Sequence, residues 1–327
     1  MRHGLARWLA AVVWTVCLAG PSAARAQDQY VLLVTGAAGG PEYRARHDAW
    51  RGALVTAFRA QAGFADDHLL VLAETPGAGV GRASREGVRQ AVDRLAARMN
   101  DESVLYVILI GHGSFDGVDA KFNLVGPDLE ATEWDRWLGA LPGRLVFVNT
   151  ASASAPFLER LSAPGRTIVT ATESAVQRYE TRFPEFFVAA FVEQAGDADR
   201  DGGVSVLEAF EYASREVREW YRQQGRLATE RALIDDTGDG RGTEAGQPGP
   251  DGLASARLYP GAGRPLSTGV DDPALRRLVT RREELLDAVD AQRAAQETMD
   301  PDAYRQALEP LLVELARVSR DIRRAGS

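Results

Sequence analysis

The sequence predicts an α/β fold: a mostly parallel central sheet with helices on both faces, followed by a pair of C-terminal helices. Three observations carry that expectation. Short, continuous apolar runs recur through the first part of the chain, as in strands buried on both faces. Segments with apolar residues every three or four positions stand between those runs. Residues 272–327 then change to a sustained 3-4 apolar spacing, which only helices show.

The elements follow in order. Residues 30–34 are an apolar run stopped by Gly36 and predict a buried strand. Residues 45–62 carry Trp50, Leu54 and Phe58 at fourfold spacing and predict a helix. Residues 68–72 predict a second strand, and 84–99, with Val88, Val92 and Leu95 on one face, a second helix. A continuous apolar strand at 104–110 runs into Gly111-His112-Gly113. A short helix at 132–138, strands at 145–149 and 167–172, and helices at 183–194 and 206–224 complete the pattern. Ligands of such sheets bind outside the carboxyl ends of the strands. Both His112 and the Ser/Ala-rich stretch after Asn149 fall there, provided that their two strands are neighbours.

Composition narrows the class. The chain has 327 residues, 45% of them hydrophobic, and a net charge of −8. That length suits one medium domain plus something smaller. The acidic balance argues against nucleic acid as a partner. Residues 1–26 read as a signal peptide, with Arg2 and Arg7 ahead of the apolar run 9–18 and Ala24-Arg25-Ala26 as the cleavage site. Its removal takes away three arginines and no acid, which changes the charge from −8 to −11. No later run reaches about 18 apolar residues, so no membrane span is expected. Cys17 is the single cysteine and lies inside the signal segment, so the mature chain has no thiol. Lys121 is the sole lysine among 38 basic residues, an arginine bias that points to a GC-rich bacterial source and a periplasmic or extracellular destination.

Residues 197–208 match a calcium-binding loop of the EF-hand type. Asp197, Asp199 and Asp201 stand at loop positions 1, 3 and 5, Gly202 at the sharp turn, and Gly203 offers its carbonyl at position 7. Val204 is the apolar anchor, Ser205 holds position 9, and Glu208 closes the set at position 12. Alternate residues point inward, which gives a hard cation such as Ca²⁺ its oxygen ligands. The run Asp235–Gly240 is a weaker echo that reads equally as a plain Gly/Asp turn. Residues 235–271, rich in Gly, Pro and Asp, read as a linker. Beyond it, Leu275, Leu278, Arg282, Leu285 and Val289, then Tyr304, Leu308, Leu311, Leu315, Val318 and Ile322, make two stripes. Asp272-Pro273 and Asp300-Pro301 start each helix, so the tail is expected to be an antiparallel hairpin that packs on the main domain or engages a partner.

The order strand–Gly111-His112-Gly113, strand–Thr150-Ala151-Ser152-Ala153-Ser154, strand 167–172 resembles the caspase/legumain-type cysteine peptidases over about residues 28–195. Tyr43-Arg44 and His47-Asp48, after the first strand, add to the likeness. The resemblance implies a caspase-like three-layer sandwich. It makes His112 the general base, Gly113 an oxyanion donor, and Arg44 part of the specificity pocket. It puts Ala151 where the nucleophilic cysteine belongs. A methyl group cannot attack a carbonyl, so peptidase activity is expected to be lost. The expected organisation is then a signal peptide (1–26), the α/β domain (27–195), a calcium loop and helix (196–234), the linker (235–271) and the hairpin (272–327). The leading expectation is a calcium-stabilised peptide- or protein-binding module. One alternative is a hydrolase pairing His112 with Ser152 or Ser154; another is a calcium-dependent structural or adhesion module.

Overall fold

The computed structural model describes residues 28–60, 62–200, 202–261, 272–294 and 299–326. The expected signal peptide, Asp201 and residues 262–271 lie outside them.

The apolar runs become the centre of an eight-stranded sheet. In chain order these strands are β1 (Gln29–Thr35), β2 (Leu69–Ala73), β3 (Val80–Arg82), β4 (Val104–Ile110), β8 (Arg144–Asn149), β9 (Arg166–Thr170), β10 (Leu233–Asp235) and β11 (Thr243–Glu244). Their spatial order is β11-β10-β9-β8-β4-β1-β2-β3. The six strands from β3 to β9 are parallel; β10 and β11 join antiparallel at one edge. Every residue of β4 is buried, as its unbroken apolar sequence demands of a strand covered on both faces.

Two apolar clusters sandwich the sheet. Helices α1 (Pro41–Ala60), α5 (Phe183–Val192) and α6 (Val206–Gln223) cover one face, where Leu54, Phe58, Phe187, Phe191 and Phe210 meet Val31, Leu33, Ile108 and Val148. Helices α2 (Arg85–Ala96), α3 (Ala131–Leu138) and α4 (Ala155–Leu161) cover the other, where Val88, Val92, Trp134 and Phe157 meet Leu32, Val107 and Phe147. Ser84 begins α2 by accepting the Gly87 N–H, a cap whose loss costs about 1 kcal/mol.

Three features depart from the sequence expectation. Helix α4 (Ala155–Leu161) follows the Ser/Ala turn directly, in a stretch for which the sequence predicts no element. Strands β5 (Gly113–Phe115), β6 (Ala120–Phe122) and β7 (Leu129–Glu130) form a small second sheet directly after His112. The first part of the stretch read as linker is ordered instead: it supplies the end of β10, all of β11 and a 3₁₀ turn at Ser255–Arg257. The order comes from buried carboxylates. Asp235 accepts the N–H groups of Thr237, Gly238 and Gly240. Asp236 accepts those of Gly252 and Ser255. Composition reads such residues as loop because their donors and acceptors meet only after folding.

The tail forms the expected pair, α7 (Pro273–Ala294) and α8 (Pro301–Gly326). Leu275, Val279, Leu285, Leu286, Leu315, Val318 and Ile322 bury one another, with Leu311 partly buried beside them. Leu253 of the main body packs into this cluster, and Arg257 pairs with Asp287 of α7 at 2.5 Å.

Candidate functional site

Strands β4 and β8 pair in parallel register, with Leu109 opposite Asn149. The turns carrying His112 and residues 150–154 therefore emerge side by side at the carboxyl end of the sheet. The chain runs outward from β1 to β3 and returns to β4 on the other side of β1, so the topological switch point lies between β1 and β4, beside the His112 turn.

His112 is partly exposed and held from three sides. Its Nε2 lies 3.0 Å from the Ala38 carbonyl in the turn after β1. Tyr43 meets its ring edge-on at 4.7 Å, and His47 packs against it at 5.4 Å. A bond to a carbonyl oxygen requires a proton on Nε2. His47 is buried, and its Nδ1 has no hydrogen-bond partner. Burial first, and then the neighbouring His112, lower its pKa to about 4, so this ring is neutral.

Glu74, which sequence reasoning missed, links the arrangement. It follows β2 and accepts the Ala38 N–H at 3.2 Å, so the residue that anchors His112 is itself anchored. The same carboxylate takes Arg44 through Nη2 at 2.9 Å and Nε at 3.2 Å. Bonding to Arg44, helped by Ala38 N–H, holds Glu74 below the usual carboxylate range. Arg44 is thus joined to the Ala38 turn through Glu74. The available signal for Glu74 was its position, a carboxylate placed directly after a buried strand at the ligand-binding end of the sheet.

The residues of the 150–154 turn divide sharply. Ala151 is fully buried, and its methyl belongs to the core beneath the sheet face covered by α2, α3 and α4. Ser152 is the residue whose side chain reaches the histidine turn: its Oγ donates to the Gly113 carbonyl at 3.0 Å and lies 3.4 Å from Gly113 N. The two turns are so close that a Cβ on Gly113 would stand 2.1 Å from the Ser152 carbonyl oxygen, which only glycine avoids. Thr150 Oγ1 donates to the Leu109 carbonyl at 2.7 Å. Ser154 Oγ shares a bond with Thr172 Oγ1 at 3.1 Å. All three hydroxyls are therefore engaged with partners other than His112.

The segment from 171 to 182 crosses above this turn. Gln177 accepts the Ala153 N–H, Thr181 Oγ1 donates to the Thr150 carbonyl at 2.6 Å, and Glu180 pairs with Arg46 of α1 at 2.7 Å. Val176 and Tyr179 on the same segment stand out into solvent.

The acidic loop is a separate centre, between α5 and α6. Carboxylate oxygens of Asp197, Asp199 and Glu208 come within 4.8 Å of one another. Gly202 turns the chain with φ at +91°, and Val204 is buried in the core, as the loop pattern requires. Ser205 starts α6 with a capping box: its hydroxyl accepts the Glu208 N–H while Glu208 accepts the Ser205 N–H at 2.9 Å. Burial first, and then the charge of Asp199, push the pKa of the Glu208 carboxyl well above the usual carboxylate range. An all-oxygen set that crowds its own charges suits a hard cation. Asp197, Asp199, Glu208 and, by loop position, the Gly203 carbonyl and Ser205 are the groups that would hold one. One cationic group already sits there: Arg282 of α7, with Nη1 2.5 Å from Asp199 Oδ2 and both side chains nearly inaccessible. The weaker echo at Asp235–Gly240 is different, because the Asp235 carboxylate is saturated by Thr237, Gly238, Gly240 and the Ser162 hydroxyl.

No family model and no curated protein matches the chain. Among solved structures it is similar to protein GSU0716 of Geobacter sulfurreducens, at a TM-score of 0.43 and 13% identity over 68% of this chain and 95% of that one. It is also similar to the Drosophila initiator caspase Dronc, at 0.41 and 12% identity over 67% and 83%. These are distant likenesses of fold, and they say nothing of chemistry at residues 112 and 152.

Proposed function

We propose that the protein is an exported, calcium-stabilised module that binds an extended peptide or protein segment at the carboxyl end of its sheet without cleaving it. One observation carries this reading: the Ser152 hydroxyl gives its proton to the Gly113 carbonyl, while residue 151 is a buried methyl. The turn beside His112 thus holds no nucleophile paired with a base. The exposed Val176 and Tyr179 next to the turn supply apolar surface for a partner. Calcium enters through the spacing and oxygen chemistry of the 197–208 loop.

The test is a peptide library offered to the purified protein with and without calcium. Retention of peptides with no cleavage supports the reading, and turnover sinks it. A second reading, a serine hydrolase, is favoured by the position of Ser152 beside the Gly113 N–H, one residue from His112. A fluorophosphonate label on the wild type, lost in Ser152→Ala, would establish it.

A further inference from the structure

We propose that the C-terminal hairpin is a latch on the acidic loop, so that a divalent cation and the docked hairpin compete for the same carboxylates. This rests on the calcium reading of the loop and adds its regulation. The starting point is an anomaly. Arg282 occupies an apolar position of the α7 stripe, between Leu278 and Leu285. An arginine there costs packing unless it is partnered, and besides its chain neighbour Glu283 at 3.4 Å it reaches a carboxylate distant in sequence, Asp199, at 2.5 Å and buried. The acidic cluster and the inserted guanidinium are independent features, one on the main body and one on the hairpin, and they meet.

The competition follows from charge. A buried guanidinium against Asp199 already neutralises part of the cluster. A second cation placed a few ångströms away meets repulsion that a low-dielectric site does not screen. Binding of the ion therefore requires Arg282 to withdraw, and Arg282 is fixed to α7. Leu253 in the hairpin cluster and Arg257 with Asp287 also hold the helix. Linkage is reciprocal: the factor by which docking weakens ion binding is the factor by which the ion weakens docking.

The experiment uses the full chain, calcium titration by calorimetry, and hydrogen exchange of α7. Calcium should speed exchange of the α7 amides in the wild type. Arg282→Gln should bind calcium about tenfold or more tighter, in the range of ordinary coupling. Leu253→Ala, which alters no charge, should also tighten binding, by a smaller factor. If Arg282→Gln binds calcium no better than the wild type, or calcium leaves α7 exchange unchanged, the latch is overturned. If Arg282→Gln tightens binding and Leu253→Ala does not, Arg282 competes only as a local charge and the coupling to docking is overturned. If neither wild type nor Arg282→Gln gives any calcium heat, the calcium reading itself fails and the competition falls with it.

Discussion

Residues 151 and 152 differ by one position and face opposite ways, and that alternation decides what each can do. Ala151 has no accessible surface and packs into the core, whereas Ser152 bridges to Gly113. A thiol placed at 151 should accordingly stay unreactive in the native protein. We expect Ala151→Cys to resist an alkylating reagent until the chain is denatured, and rapid native labelling would mean that the turn opens. His47 provides a second expectation at this scale. Its pKa lies at about 4 in the fold against an ordinary 6.5, because burial disfavours the charged ring. Above pH 6.5 both states are neutral and nothing is lost. Between 6.5 and 4 the unfolded chain takes up a proton that the folded chain refuses, so stability falls with pH. Below about 4 the contribution levels off. Denaturation midpoints across that window should fall less steeply in His47→Phe than in the wild type. An equal slope in the two would remove His47 as a source.

At the scale of elements, the segment after α6 returns to cap α5. Both Glu230 carboxylate oxygens accept the Arg182 N–H, and one also accepts that of Phe183, at the start of α5. A carboxylate is favourable at a helix N-terminus. Burial outweighs that help and lifts its pKa to about 7 from 4.5. The folded form therefore holds a proton that the unfolded chain releases. The contribution is full below pH 4.5, declines as pH rises to about 7, and is constant above. Glu230→Gln keeps an acceptor without the charge and should melt higher than the wild type at pH 8 but not at pH 4. The reverse order at pH 8 would show the ionised form to be the stabilising one. Legibility in the sequence follows the same physics. Strands β1, β4 and β8 were visible because burial on both faces forces continuous apolar runs. Strands of two or three residues, such as β5, β7 and β11, carry no period to detect. The acidic loop was visible because its carboxylates and turn glycine lie within one dodecapeptide. Glu74 behind Ala38 and Arg282 on Asp199 were not, because those contacts join segments far apart in the chain.

At the scale of the whole molecule, the question is how far the hairpin belongs to the main body. The two clusters that sandwich the sheet contain no residue of α7 or α8, and the hairpin buries a cluster of its own. The sheet and its six covering helices therefore have their apolar contacts without it. A chain lacking residues 272–327 should fold with the far-UV signature of an α/β protein. The acidic loop is where the loss is felt. Removing the hairpin takes Arg282 away from Asp199, which lies beside Asp197 and Glu208. Like charges brought together in a buried site cost stability when a cationic partner is removed, and a divalent cation reverses that cost. The truncated chain should thus melt lower than the full chain in chelator and gain more from millimolar calcium, since a ligand of the folded state raises its melting temperature by mass action. The measurement is four melting curves, two proteins with and without calcium. A truncated chain that never folds would make the hairpin part of the core. A truncated chain whose calcium shift is no larger than that of the full protein would mean that Arg282 does not stand in the cation's place.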